Sequence, residues 1–251
     1  MERMRAIALI IALWGACEPA LAADYVTRDV VSRLFASTIQ KPIDFSAKDL
    51  SNLDLAGVDF KHAKLKGAIL FGTDLSGANL TGCDLEGAIL DRATLTKTDF
   101  SNANLRSTRI RRPSIFLDMS PVAAEAPSFR GANLESAWLE GSFDYADFSD
   151  AHLAGARFGA LNPRHSESIT GPVLRGANFA NANLKGVTLE KADLSFANFS
   201  GAKLDGANLR STDLSRATFQ GASLQGADLS AARSDSTDWT DAVLPTQDPF
   251  R

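Results

Sequence analysis

Thr73-Asp74-Leu75-Ser76-Gly77, Ala78-Asn79-Leu80-Thr81-Gly82 and Cys83-Asp84-Leu85-Glu86-Gly87 stand end to end and repeat one pattern. A small residue is followed by Asp or Asn, then Leu, a polar residue and Gly. A strict period of five fits neither the 3.6-residue helix nor the two-residue alternation of a strand, so it is read as a repeat architecture.

Taking the large apolar residue as the centre of each unit, the pattern extends both ways along the chain. Centres run from Phe45, Leu50 and Leu55 to Phe100, Leu105 and Ile110. A second block holds Phe129, Leu134, Leu139, Phe143, Phe148, Leu153 and Phe158, and a third runs from Leu174 to Trp239 and Leu244. The slot two residues before the centre is mostly Ala, as at Ala177, Ala182 and Ala192. A second period lies on the first. Phe179, Phe199, Phe219 and Trp239 recur every twenty residues, and Gly67-Ala68-Ile69-Leu70 returns as Gly87-Ala88-Ile89-Leu90. Four units per turn would stack residues twenty apart, filling each interior column with one shape and leaving no void.

The pattern of Ala, Asp or Asn, Leu or Phe, Ser or Thr, and Gly over most of residues 45–244 resembles the pentapeptide-repeat family. The resemblance implies an all-β solenoid, a right-handed quadrilateral β-helix, with the centre and Ala slots turned inward and the other three turned to water. Roughly 35 units at four per turn would make a rod on the order of 40 Å long, at ~4.8 Å per turn.

Outside the repeat, residues 1–22 carry two arginines before Ala6, an apolar run to Ala16 and the small-x-small sequence Ala20-Leu21-Ala22. That is the grammar of a secretory signal peptide. The apolar run falls short of the roughly 20 residues of a membrane span, and no transmembrane segment is expected. A lipid anchor at Cys17 is the rival processing route, disfavoured because Trp14 stands where a lipobox has Leu. A soluble periplasmic or secreted protein, cleaved near Ala22, is therefore expected. Residues 23–44 form a lead-in. Within it Tyr25 to Thr38 sets Val30, Val31, Leu34 and Phe35 along one face of a capping helix. The repeat is interrupted by loops at 111–128 and 161–172, and one residue is missing near Ser142–Tyr145. The tail, 245–251, has prolines that cannot extend a ladder.

Chemistry-bearing patterns are sparse. His62, His152 and His165 lie apart with no metal-ligand spacing, and the glycines mark repeat corners instead of a phosphate loop. Cys83 occupies a small-residue slot and reads as a buried spacer. No enzyme and no cofactor are expected. The net charge of −4, with both signs mixed, argues against a nucleic-acid partner.

Two functions remain: an exported structural or protein-interaction module of the bacterial periplasm, or a DNA-mimicking modulator of type II topoisomerase, as some members of the resembled family are. The signal peptide and weak charge favour the first. The candidate interaction surface comes from outward slots that break the polar rule. Ile69 and Ile89 occupy one, twenty residues apart, with Phe71 beside them. Arg109, Arg111 and Arg112 follow on that face, where a loop carrying Ile115, Phe116 and Leu117 departs. Either the loop folds back and buries Ile89 with its own apolar residues, or the column and loop form a contact site for an unknown envelope protein or for self-association.

Overall fold

The computed structural model describes residues 24–117, 121–159 and 171–246 of the chain. The signal segment, most of the second loop and the end of the tail lie outside the described residues.

Each five-residue unit is a corner, and each residue type has a task. In the unit around Leu75, the Asp74 carboxylate accepts a hydrogen bond from the Ser76 N–H at 2.9 Å. Such short side-chain turns are what Asp and Asn make best. The Ala78 N–H then closes back on the Leu75 carbonyl at 2.9 Å. Gly77 has φ +63°. A positive φ at the third residue is the requirement of a type II turn, which explains the recurrent glycine. Leu75 and Ala78 point into the core and are buried.

Successive turns are joined by parallel bridges in four columns. One runs Asp44, Lys64, Asp84, Asn104, Asn133, His152, Asn183, Lys203, Ser223 and Val243. Most steps are twenty residues, as from Asp59 to Asn79. Three turns differ: Asp99 pairs with Ser128 across the first loop, Ser128 with Asp147 across the missing residue, and Asp147 with Asn178 across the second loop. Among the described residues, pairing is extended enough to make strands only at β1 (Arg109–Arg111), β2 (Trp138–Glu140) and β3 (Arg157–Phe158), parallel in the order β1-β2-β3.

The interior is filled column by column. Phe179, Phe199 and Phe219 stack at 4.9 and 4.6 Å between ring centres, and Trp239 continues at 4.5 Å. The stack also runs upstream through Phe148, Phe129 and Phe100, with spacings of 5.0, 4.8 and 5.1 Å. The aromatic column thus continues unbroken past both insertions and the deletion. Cys83 is buried in its small-residue slot.

Helix α1, Thr27–Ala36, lies at the start of the coil. Val30 and Leu34 are buried in the same core, whereas Val31 and Phe35 are exposed. The expected four-residue apolar face is thus corrected to two residues, because only the stripe facing the first turn meets protein. Lys61 Nζ bonds the Leu34 and Ser37 carbonyls at 3.0 and 3.3 Å, satisfying acceptors at the helix C-terminus. The Asp24 N–H donates to the Asp49 carbonyl, and the Asp49 N–H to the Asp24 carboxylate.

A second correction concerns the first loop. Ile115 is only 3% exposed and follows Ser114, which pairs with Thr94. It is therefore the next centre after Ile110, and the insertion begins at Phe116. The Lys97 N–H, which would meet residue 116 in an unbroken turn, bonds the Glu125 carbonyl instead. A short 3-10 turn, Ala123–Glu125, lies in this loop.

Candidate interaction surface

The slot just before the centre turns outward, and one column of it is unlike the rest. Asp49, Ile69, Ile89 and Arg109 are bridged in sequence, and the column continues through Trp138 in β2 and Arg157 in β3. Ile69 and Ile89 are half-buried neighbours on adjacent turns, as their spacing suggested. Phe71 is half-buried beside them, with the Arg92 guanidinium 5.7 Å from its ring centre.

The arginines are held by an acidic residue that sequence reading missed. The Asp91 side chain is 3% exposed and follows centre Leu90. Arg109 Nη2 reaches its carboxylate at 2.8 Å, Arg111 Nε at 2.9 Å, and the Arg111 N–H also donates to it at 3.2 Å. A buried carboxylate needs such partners to offset its lost hydration. The legible signal was an Asp in a slot usually held by Ser or Thr, with Arg twenty residues on. Arg111 also lies 5.1 Å from the Trp138 ring centre, and Trp138 Nε1 donates to the Gly159 carbonyl at 2.7 Å. Arg112 turns the next corner, exposed, 3.5 Å from the Glu140 carboxylate. A second clamp repeats the design: buried Asp144 accepts from the Arg175 N–H at 2.8 Å and from Nη2 at 3.1 Å.

Among the loop residues, the structure divides the expected set. Ile115 belongs to the core, so it drops out of the surface. Phe116 packs partly against that core. Leu117 is 77% exposed, and its N–H donates to the Glu125 carboxylate at 3.0 Å. Ile69, Ile89, Phe71, Arg109 and Arg111 come together with Asp91 and Trp138, which the spacing did not identify. An open groove on the preceding face is lined by Asn133, Glu135, His152, Ala154 and Asn183. Among the described residues no cluster of His, Cys, Asp or Glu could hold a metal ion, and no helix is long and apolar enough to cross a membrane.

A coil of parallel, bridged five-residue corners, with a filled interior and function left to its outward slots, defines a repeat-solenoid protein. Residues 43–72, 73–112, 173–210 and 192–230 match the family model for pentapeptide repeats, in 8 copies, and the chain belongs to that family. HetL, a pentapeptide repeat protein involved in heterocyst differentiation regulation in the cyanobacterium Nostoc sp. strain PCC 7120, has a structure similar to this one. It is 24% identical, with 88% of this chain and 98% of HetL covered at a TM-score of 0.50, a likeness of fold alone. Rfr23 from the cyanobacterium Cyanothece 51142 is 25% identical over 47% of this chain and 90% of its own, at a TM-score of 0.36. A trypsin-treated form of QnrB1, a plasmid-mediated fluoroquinolone resistance protein, is 20% identical over 74% of this chain and 89% of its own, at 0.34. No curated protein matches the chain.

Proposed function

We propose that the protein is exported to the bacterial periplasm, cleaved near Ala22, and acts there as a non-catalytic structural or protein-interaction module. Its coil is the right-handed quadrilateral β-helix, with α1 as its N-terminal cap. The observation that carries the reading is the column Ile69–Ile89–Arg109–Trp138–Arg157, a continuous apolar and basic stripe where the other columns are mostly Asp, Asn, Ser and Thr with single Lys, Arg, His or Val residues between them. Interfaces concentrate aromatic and Arg residues around an apolar centre. The partner class is an envelope protein or a second copy of the chain.

Ile69→Asp with Ile89→Asp tests the surface. Both side chains are only half-buried, so the coil is expected to stay folded while envelope partners or self-association, read by pull-down and light scattering, are lost. Unchanged capture and unchanged mass would retire this face as the functional one. N-terminal sequencing of protein from fractionated cells tests the compartment. A chain beginning at Ala23 supports the reading, a lipidated Cys17 replaces it with a membrane anchor, and an intact Met1 in the cytosol removes export altogether.

A further inference from the structure

The slot two residues after each centre turns the corner in the left-handed region. On the edge that follows Leu55 and Leu75 this slot holds Gly57 and Gly77. Further along the same edge it holds Lys97 and, past the first loop, Tyr145, Gly176, Phe196 and Arg216. The Tyr145 N–H bonds the Arg175 carbonyl, the Gly176 N–H the Ser195 carbonyl, and the Phe196 N–H the Ser215 carbonyl, which sets these residues one turn apart. Tyr145 has φ +59° and Phe196 φ +62°. Bulky residues are outliers there, and strain of this kind gathers at functional positions. Both rings are also exposed, at 41% and 58%. Gly or Asn would remove both penalties, so nothing in the fold calls for aromatic rings at these corners.

The surroundings accommodate the rings. A Cβ on Gly176 would come within 2.7 Å of the Tyr145 ring edge, so the glycine makes the seat for it. The Arg216 guanidinium lies 5.3 Å from the Phe196 ring centre. Arg175, at the base of the edge, is taken up by Asp144 and Asp193.

We propose that this edge binds a linear, uncharged polysaccharide of β-1,4-linked pyranoses, laid along the rod. The two rings stand two turns apart, about 10 Å at the spacing of neighbouring strands, which matches the two-sugar repeat of an extended chain of that linkage. Pyranose rings present apolar C–H faces that lie on aromatic side chains, with hydroxyls left at the margin for the Tyr145 hydroxyl and Arg216. The charge balance selects the same partner. Arg175 is compensated where it stands, which leaves Lys97 and Arg216 as the cations in this slot, far short of the continuous basic stripe that a nucleic acid or an anionic lipid surface needs. The inference stands apart from the export reading, since purified protein tests it in any compartment.

Co-sedimentation with cellulose and chitin, and titration with cellohexaose and chitohexaose, provide the test. Binding to one of them is expected, weakened about tenfold or more in Tyr145→Asn/Phe196→Asn. Asn tolerates the left-handed region, so the thermal midpoint of that variant is expected to hold or rise. Ser211→Asn, in the same slot of a different edge, is expected to bind as the parent does. Failure of the parent protein to bind either polysaccharide overturns the proposal, as does equal binding by the double variant. Two further results also overturn it: sedimentation with phosphatidylglycerol vesicles that the double variant loses, or a parent dimer that it converts to monomer.

Discussion

At the scale of single residues, the core and the clamps make different demands. Phe199 lies between Phe179 and Phe219 at 4.9 and 4.6 Å, fully buried. Phe199→Ala leaves a gap that a coil pinned on both sides cannot close, and is expected to cost about 3–5 kcal/mol in chemical denaturation. A loss below about 1 kcal/mol would mean the ring is not held in a stack. Asp91 works by charge. Its removal leaves the guanidinium groups of Arg109 and Arg111 without their buried acceptor, so Asp91→Ala is expected to cost about 1–3 kcal/mol. Asp91→Asn, which keeps an acceptor oxygen, should cost less. The residue types at the core sites were plain from the sequence. Asp91 was not, because a carboxylate beside a centre is so common in this repeat that its burial becomes visible only when the next turn is laid on it.

At the scale of the repeated corner, the Asp and Asn ladder links structure to pH. The Ser or Thr two residues ahead, by its hydroxyl and its N–H, holds the carboxyls of Asp44 and Asp238 below the ordinary range. A carboxyl with a lower pKa folded than unfolded contributes stability above its unfolded value, near 4, and loses it as the pH falls through the folded value. The thermal midpoint is therefore expected to be flat from about pH 7 to 5 and to fall progressively below about pH 4. A midpoint unchanged down to about pH 3 would show that the corners do not depend on their carboxylates. Cys83 offers a companion reading, since burial pushes its thiol up to about 12 and native protein should resist thiol reagents until it unfolds. The corner itself was legible because period five and period twenty are both local. What escaped was whatever the insertions shift. Ile115 passed for loop because Pro113 precedes it and the in-phase centre that should follow is missing. Tyr145 and Phe196 share an edge, but the steps to Gly176 and on to Phe196 are unequal in sequence, so no fixed period relates them. In α1, periodicity offered four apolar positions, and only the geometry of the first turn decides that two of them are used.

At the scale of the whole molecule, a coil whose turns hydrogen-bond to one another has two ends, and the described residues show what meets the first of them. The last turn carries Trp239 and Leu244 half-buried and Val243 47% exposed, with Pro245 directly after. The first turn lies under α1: the Tyr25 ring meets Phe45 edge-on at 5.6 Å, Val30 and Leu34 enter the core, and Asp24 pairs with the backbone of Asp49. An uncovered ladder end offers unpaired N–H and C=O groups to any other chain, and terminal caps are what keep solenoids soluble. If α1 is the cap, its value lies less in the area it buries than in the edge it denies to neighbours. Val30→Asp with Leu34→Asp should detach the helix while leaving every repeat centre intact. The expected result is a coil that keeps its β-type circular dichroism, melts at a lower temperature and forms concentration-dependent oligomers by light scattering. Lys61→Ala, which frees the helix C-terminal carbonyls and the face of the Phe35 ring, should move the same readouts in the same direction by less. A double variant that stays monomeric with an unchanged melt would show that the first turn needs no cover, and that the helix is only appended to the rod.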